Sequence, residues 1–154
     1  MKITGILTPE HIIPDLKSVT KEEVLSELSA NFPYGNNINC NQATALNALI
    51  NREKLGSTGI GDGIAIPHGK IHGIDELLLS FGRSKKGVAF DTLDGKPAHI
   101  FFLLIVPEDA PSQHLKLLAK ISRMLKDADF RKKLMNASSR EDIYRLIAEK
   151  ESLV

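Results

Sequence analysis

The chain has 154 residues, 42% of them hydrophobic and 25% charged, and its twenty Lys and Arg against nineteen Asp and Glu leave a net charge of +1. This balance argues against a dedicated duplex-DNA binder, which carries a strong basic excess. The longest apolar run, Ile100–Val106, is far short of the ~20 residues that cross a bilayer, and the N-terminus does not resemble a secretory signal. We therefore expect a cytoplasmic protein without direct membrane insertion or nucleic-acid binding.

The N-terminal third is predicted to contain two helices. Thr20 and Glu23 have the spacing of a capping box before an apolar helical pattern, and this helix should end near Phe32-Pro33. A second helix is predicted over about Asn41–Lys54, because apolar residues recur there at helical spacing. Gly56 is its stop signal.

The middle of the chain is predicted to form strands. Short apolar runs bounded by Gly, Pro and Asp are typical of buried strands, and they are found at Ile64–Ile66, Leu77–Phe81, Val88–Phe90 and His99–Ile105. The last run is apolar on both faces, which predicts a central strand covered on both sides.

The C-terminal third is predicted to be helical. Ser112 is placed to cap a helix that runs to about Lys126, a short helix follows around Phe130–Met135, and Ser138 with Glu141 forms a capping box before the last helix. Helices, then strands, then helices predict an α/β fold (α+β in some schemes) with three layers, in which a sheet lies between helices. We find no repeat or linker and expect one domain over residues 1–154, well ordered from about residue 5 to about residue 150.

The segment with the most chemical information is glycine-rich and reads LGSTGIGDGIAIPHGK over residues 55–70. Closely spaced glycines indicate unusual backbone angles or a close approach. Two nucleotide-binding motifs fail on spacing. The dinucleotide fingerprint would need glycine where Ile64 stands, and the P-loop fails because Gly63 and Lys70 are one residue too far apart and Ile71 replaces the hydroxyl that binds Mg²⁺.

His68 is the candidate reactive residue of this segment. It stands between Pro67 and Gly69 at the end of a short apolar strand, where Pro67 fixes the chain direction and Gly69 leaves the ring uncrowded. A neutral imidazole is a competent nucleophile near neutral pH. The competing interpretation is a hydrogen-bonded structural histidine.

A second candidate site is the predicted helix start Pro111-Ser112-Gln113-His114. If Ser112 is the N-cap, His114 is the second helical residue, beside free N–H groups and a positive dipole end that attract phosphate. The alternative is an ordinary exposed histidine of a first helical turn.

Other chemistries are less well supported. His68 and His72 are four residues apart, as two metal ligands on a helix would be, but the surrounding Pro and Gly disfavour a helix there. No nucleophile elbow is present, His11 and His99 lack a motif, and Cys40 has no neighbour that would activate its thiol. We expect no metal and no cofactor.

The glycine-rich run resembles the signature of the fructose/mannitol-type enzyme IIA domains of the bacterial phosphotransferase system, and is most similar to their nitrogen-related branch. The resemblance extends over nearly the whole chain, through ILTPEHI, NREKLGSTGIG, VAFDTLDGKPAHIFFLLIVP and SQHLKLLAKISRML. It implies a mixed β-sheet with helices on both faces. The chain shows no segment that resembles an attached IIB or phosphocarrier domain. Such a stand-alone form is common among nitrogen-related members.

The resemblance also implies roles for particular residues. His68 matches the phosphorylated histidine, His114 the second active-site histidine, and Arg52 the arginine near the pocket. Ser57 and Thr58 match loop positions that could add hydroxyl donors to the phosphate pocket, with Ser112 at the helix start.

The expected function is phosphoryl transfer. The donor would be a phosphohistidine on a small HPr-like carrier and the acceptor Nε2 of neutral His68, with a backbone carbonyl holding Nδ1–H. The leading expectation is a phosphorylation-dependent regulator of the nitrogen-related type. The alternatives are sugar uptake, with transfer to a separate IIB protein, and a silent binding module of the same fold, as in anion-exchanger cytoplasmic domains.

Overall fold

The computed structural model describes residues 2–109 and 111–154. Helix α1 spans Lys21–Ala30 and α2 spans Gln42–Lys54, as predicted. Thr20 caps α1 through its hydroxyl, which accepts the Glu23 N–H, and Asn41 caps α2 in a reciprocal box with Thr44. Each cap satisfies N–H groups that the first turn of a helix leaves free.

The strands form one mixed sheet. They are β1 (Ile12–Ile13), β2 (Gly59–Gly61), β3 (Ile64–Ala65), β4 (His68–Ile71), β5 (Leu78–Val88) and β6 (Ala98–Pro107). The sheet order is β1-β5-β6-β3-β2, and β4 pairs with β6 beyond the end of β3. β6 is antiparallel to β5 and parallel to β3 and β4, so the predicted central strand is confirmed.

Three differences from the predicted strands stand out. Strands β1, β2 and β4 were not predicted, because β1 has only two residues and because glycines and polar residues interrupt the apolar pattern of β2 and β4. Val88–Phe90 is not a separate strand: β5 continues to Val88, and Ala89 forms only an isolated bridge to Thr20. Ile66 lies beyond β3 and connects it to β4.

Three helices complete the chain: α3 (Pro111–Leu125), α4 (Ala128–Asn136) and α5 (Arg140–Glu151). The cap of α5 is Ser139, which accepts the Asp142 N–H, and not Ser138 with Glu141 as predicted. Adjacent serines can both cap a helix, and the Asp142 carboxylate also accepts the Ser138 N–H, which fixes the start of the helix one residue later.

Both faces of the sheet are covered, which confirms the three-layer α/β/α fold. Alternation along β6 places Phe101 and Leu103 against α1 and α2, and Phe102 and Leu104 against α3, α4 and α5. Since apolar residues point to both sides, the sheet buries two cores. This burial fixes the position of β3 and β4, which both pair with β6.

A buried carboxylate joins the two ends of the chain. Glu151 accepts hydrogen bonds from the Ile3 N–H, from the Thr4 N–H at 3.2 Å and from Lys120 Nζ at 3.1 Å. Burial alone raises the pKa of Glu151, but these donors outweigh burial and hold the pKa below its ordinary value of 4.5. The carboxylate therefore stabilises the fold only while it is ionised.

We expect Glu151→Gln to lower the free energy of unfolding by about 2 kcal/mol at neutral pH, because hydrogen bonds to a charged acceptor are lost. The difference from the wild type should vanish as the pH falls through the depressed folded-state pKa, since the wild-type carboxylate is then protonated too. Urea denaturation at neutral and acidic pH measures both. The control Glu149→Gln removes an exposed partner of Arg145 and should change stability by under about 0.5 kcal/mol.

Candidate functional site

His68 was predicted to follow the end of a short apolar strand, and it is itself the first residue of the next strand, β4. Pro67 turns the chain into β4, where the Leu104 N–H of β6 donates to the Pro67 carbonyl at 2.9 Å, and His68 pairs with Leu104. His68 is half-buried. The proline thus fixes the ring at the point where β4 starts, next to the end of β3.

Gly69 has a different role from the predicted one. A Cβ at Gly69 would lie 3.1 Å from Ala48 Cβ and 3.2 Å from its carbonyl carbon. Glycine therefore allows α2 to pack directly on the β4 backbone. Arg52 lies one helical turn after Ala48, so this close packing brings the end of α2 beside His68.

The His68 ring is held by one backbone carbonyl. Nδ1 lies 2.9 Å from the Ile66 carbonyl oxygen. Because a carbonyl oxygen has no proton, Nδ1 must donate, and in the neutral ring the lone pair is then on Nε2. This is the tautomer that the proposed chemistry requires.

His114 contacts His68. The ring centroids are 5.0 Å apart with an angle of 54° between the planes. His114 is only 6% exposed, and its Nε2 has no hydrogen-bond partner among the described residues. A buried polar nitrogen without a partner is unusual in folded proteins, and here it lies against the candidate reactive ring.

The predicted start of this helix was wrong by two residues. α3 begins at Pro111, so Ser112 is its second residue and not its N-cap, and His114 is the fourth residue and not the second. The cap position falls on Ala110, which lies outside the described residues. The N–H groups of Ser112 and Gln113 still belong to the first turn, where no intrahelical acceptor exists.

Arg52 lies in the last turn of α2 and is half-buried. Its Nη1 donates to the Gly56 carbonyl at 2.8 Å, which fixes the guanidinium at the loop. A guanidinium has five N–H donors, so this bond leaves donors for an anion.

Burial lowers the pKa of His68 below 6.5, and the charges of Arg52 and Lys70 lower it further, while the Ile66 carbonyl and Glu53 act in the opposite direction. Burial also lowers the pKa of His114, together with the charges of His68, Lys70 and Arg52. Both rings are therefore neutral at neutral pH, in a pocket with an excess of positive charge.

The loop hydroxyls of Ser57 and Thr58 are bonded to the protein itself. Ser57 Oγ donates to the Phe90 carbonyl at 2.8 Å and accepts the Gly59 N–H at 3.0 Å, while the Thr58 hydroxyl donates to Glu53. Each hydroxyl has one proton, and both protons are already donated. These contacts favour a role in holding the loop over direct binding of phosphate.

Two charged residues near the site were not predicted. Lys70 follows His68 by two residues along β4 and is exposed, so both side chains lie on one face of the strand. Two-residue alternation identifies Lys70 once β4 is recognised. Glu53 is buried under the glycine-rich loop, and no sequence pattern indicated that position.

The remaining histidines and the cysteine have structural surroundings. His11 Nδ1 contacts the Asn31 carbonyl at 3.2 Å, and His99 Nδ1 contacts the Ser84 carbonyl at 2.8 Å. Cys40 is buried, and burial raises the pKa of its thiol. His72 is in the turn after β4, its Nδ1 3.3 Å from Glu108.

A shared metal ion does not fit this geometry. β4 is extended from His68 to Ile71 and His72 follows it in the turn, so the two histidines are about one strand length, roughly 13 Å, apart. Within residues 2–109 and 111–154, no group of three His, Cys, Asp or Glu side chains could hold a metal. Over the same residues, no helix has the length and apolar character needed to cross a membrane.

Two neutral histidine rings in contact, beside an arginine and a helix N-terminus on an α/β/α scaffold, define a candidate phosphoryl-carrier site. The chain belongs to the family described as "Phosphoenolpyruvate-dependent sugar phosphotransferase system, EIIA 2", whose model matches residues 5–150. Members of this family carry phosphoryl groups, and the predicted family resemblance is confirmed.

Individual relatives cover the chain nearly completely. It is 39% identical over 148 residues to a nitrogen regulatory protein of Bradyrhizobium diazoefficiens, covering 96% of this chain and 95% of the relative. It is 40% identical over 147 residues to the fructose-specific EIIABC component of Bacillus subtilis, covering 96% of this chain but 23% of that protein. The crystal structure of the nitrogen regulatory protein IIA-Ntr from Neisseria meningitidis superimposes with a TM-score of 0.87 at 35% identity, covering 94% of this chain and 98% of the other.

Proposed function

We propose that the protein accepts a phosphoryl group on Nε2 of His68 from a phosphohistidine of an HPr-like carrier protein and acts in the cytoplasm as a phosphorylation-dependent regulator. The observation that carries the proposal is the pair of rings. Ile66 holds Nδ1–H of His68, and the ring packs at 5.0 Å on His114. The Nε2 lone pair is thereby available to attack phosphorus.

The transfer exchanges one P–N bond for another. The Nε2 lone pair of His68 attacks the phosphorus as the bond to the carrier's histidine breaks, and that bonding pair returns to the carrier's ring. Little covalent assistance is needed, so placement and charge stabilisation supply the catalysis. The dianionic phosphoryl group would be stabilised by Arg52, by the first turn of α3 and by His114. His114 Nε2, which has no partner among the described residues, would donate its proton to a phosphoryl oxygen.

The surroundings of the site suit a protein donor. Leu55, beside Gly56, is 85% exposed, and Leu115, beside His114, is 64% exposed. Large apolar side chains at a polar pocket are typical of protein interaction sites. An HPr-like carrier could cover them while it brings its phosphohistidine to His68.

The regulatory role is favoured by the likeness to nitrogen regulatory proteins in sequence and in structure. The chain is 39% identical to the nitrogen regulatory protein of Bradyrhizobium diazoefficiens and superimposes on that of Neisseria meningitidis with a TM-score of 0.87 at 35% identity. The second candidate function is sugar uptake, in which phospho-His68 passes its phosphoryl group to a IIB protein, and the 40% identity to the fructose-specific protein favours it. The silent binding module is disfavoured because His68, His114 and Arg52 are all present and grouped.

The test begins with two purified carriers, one of the general sugar system and one of the nitrogen-related type, each phosphorylated beforehand. We expect faster phosphorylation by the nitrogen-related carrier, measured as formation of an acid-labile phosphoprotein. The product is then incubated with candidate IIB proteins. Slow transfer supports the regulatory role, rapid transfer supports sugar uptake, and no phosphorylation by either carrier contradicts phosphoryl transfer altogether.

We also expect acceptance to persist below pH 6.5. Only the neutral ring has a free lone pair, and burial with nearby positive charge lowers the pKa of His68. The competent fraction therefore stays high at neutral pH and falls only as the pH drops through the lowered pKa. Titration of the His68 ring nitrogens by NMR gives this value directly, and a pKa at or above 6.5 would contradict the electrostatic description of the pocket.

A further inference from the structure

A buried carboxylate lies beneath the glycine-rich loop, outside the pair of histidines. The Glu53 side chain is 5% exposed. It accepts the Thr58 N–H at 3.1 Å and the Thr58 hydroxyl proton, and it forms an ion pair with Lys21 at 3.0 Å. Two donors of a single loop residue thus converge on one carboxylate at the end of α2.

Thr58 in turn connects to the reactive ring through the backbone. Its carbonyl accepts the Ile66 N–H at 3.1 Å, and the Ile66 carbonyl accepts Nδ1–H of His68 at 2.9 Å. A continuous series of contacts therefore leads from Glu53 through Thr58 and Ile66 to His68. The Ile66 carbonyl that accepts Nδ1–H of His68 is therefore oriented at the end of this series.

We propose that Glu53 is a positioning residue for phosphoryl transfer, which fixes Thr58 and through it the Ile66 carbonyl, and so keeps the proton of neutral His68 on Nδ1 and the lone pair on Nε2. This inference rests on the proposed function of His68. Groups that orient a reacting histidine by holding its second nitrogen fix both its tautomer and its direction. Here the orienting carboxylate, Glu53, acts on His68 through two intervening residues, Thr58 and Ile66.

A carboxylate suits this position better than other side chains. One Glu53 oxygen accepts the Thr58 N–H and pairs with Lys21, and the other accepts the Thr58 hydroxyl proton. Glutamine offers one carbonyl oxygen and an NH₂ group, so it cannot accept the two Thr58 protons on two separate atoms as the carboxylate does. Glu53 also carries the negative charge that raises the pKa of His68, against burial and against Arg52 and Lys70, which lower it.

The experiment compares Glu53→Gln and Thr58→Val with the wild type. Glu53→Gln removes the charge and one acceptor, while Thr58→Val removes the hydroxyl but leaves the N–H bond. The matched control is Asp91→Asn, which removes the second carboxylate partner of Lys21, at 3.3 Å, without touching Thr58. Asp91 has a φ of +52°, a conformation that asparagine tolerates.

The first readout is the tautomer of His68, measured by ¹⁵N NMR on the unphosphorylated protein. We expect Glu53→Gln to lower the fraction with the proton on Nδ1, Thr58→Val to lower it less, and Asp91→Asn to leave it unchanged. The second readout is transfer from the phosphorylated carrier. Its maximal rate should fall about 10-fold in Glu53→Gln, the lower end of the loss seen when an orienting group is removed, with the half-saturating carrier concentration unchanged.

A wild-type tautomer fraction and maximal rate in folded Glu53→Gln would overturn the inference. If that variant does not fold, Thr58→Val decides alone, and an unchanged tautomer there overturns it as well. The tautomer measurement needs no carrier. Failure of the wild-type protein to accept phosphoryl would therefore refute the proposed function, whereas failure of the inference shows as an unchanged tautomer in a protein that transfers normally.

Discussion

His68→Ala is expected to abolish the acid-labile phosphorylated form. The substitution removes the nucleophilic Nε2 of the ring whose Nδ1–H is held by the Ile66 carbonyl. His68 is half-buried, so a folded variant should result. Incubation with the phosphorylated carrier, followed by detection of phosphohistidine, measures the effect.

The matched control for this variant is His72→Ala. His72 lies four residues further along, in the exposed turn after β4, where it contacts Glu108, so its loss should leave acceptance at the wild-type rate. A His68→Ala protein that still takes phosphoryl from the carrier would refute the assignment of the acceptor.

His114→Ala is expected to slow transfer about 100-fold while the fold is kept, as when one hydrogen-bond donor to a developing anion is removed. His114 Nε2 is buried and lacks a partner among the described residues, so its donor becomes useful only when phosphoryl oxygens are present. His114→Asn, which keeps an N–H donor, should recover part of the rate. Rapid-quench kinetics with the carrier measure both variants.

The stability of His114→Ala provides the control for this second prediction. Denaturant midpoints close to that of the wild type would show that the loss of rate is local. Transfer at the wild-type rate in this variant would remove His114 from the pocket, despite its contact with His68.

The helices and the central strand could be predicted because their signals are local. Thr20 and the Asn41 region mark helix starts through side chains that satisfy the first N–H groups, and the apolar run of β6 reflects burial on both faces. Where two neighbouring residues offer the same capping chemistry, as Ser138 and Ser139 do, local sequence does not decide between them.

Strands β1, β2 and β4 could not be predicted, because tertiary pairing creates them. His68–Ile71 has little strand propensity of its own and is extended because β6 pairs with it and because α2 packs on Gly69. Lys70 was missed with β4, and Glu53 because its bonds to Thr58 depend on the folded loop. The contact of His68 with His114 followed from the family resemblance and not from residue spacing.

The most direct test of the account locates the phosphoryl group itself. The wild-type protein, labelled with ¹⁵N in its histidine rings, is incubated with the phosphorylated HPr-like carrier and observed by NMR. We predict a phosphorus–nitrogen bond at Nε2 of His68, with Nδ1 still protonated and His114 unmodified. A phosphoryl group on another residue or on Nδ1 of His68, or the absence of any phosphorylated form, would contradict it.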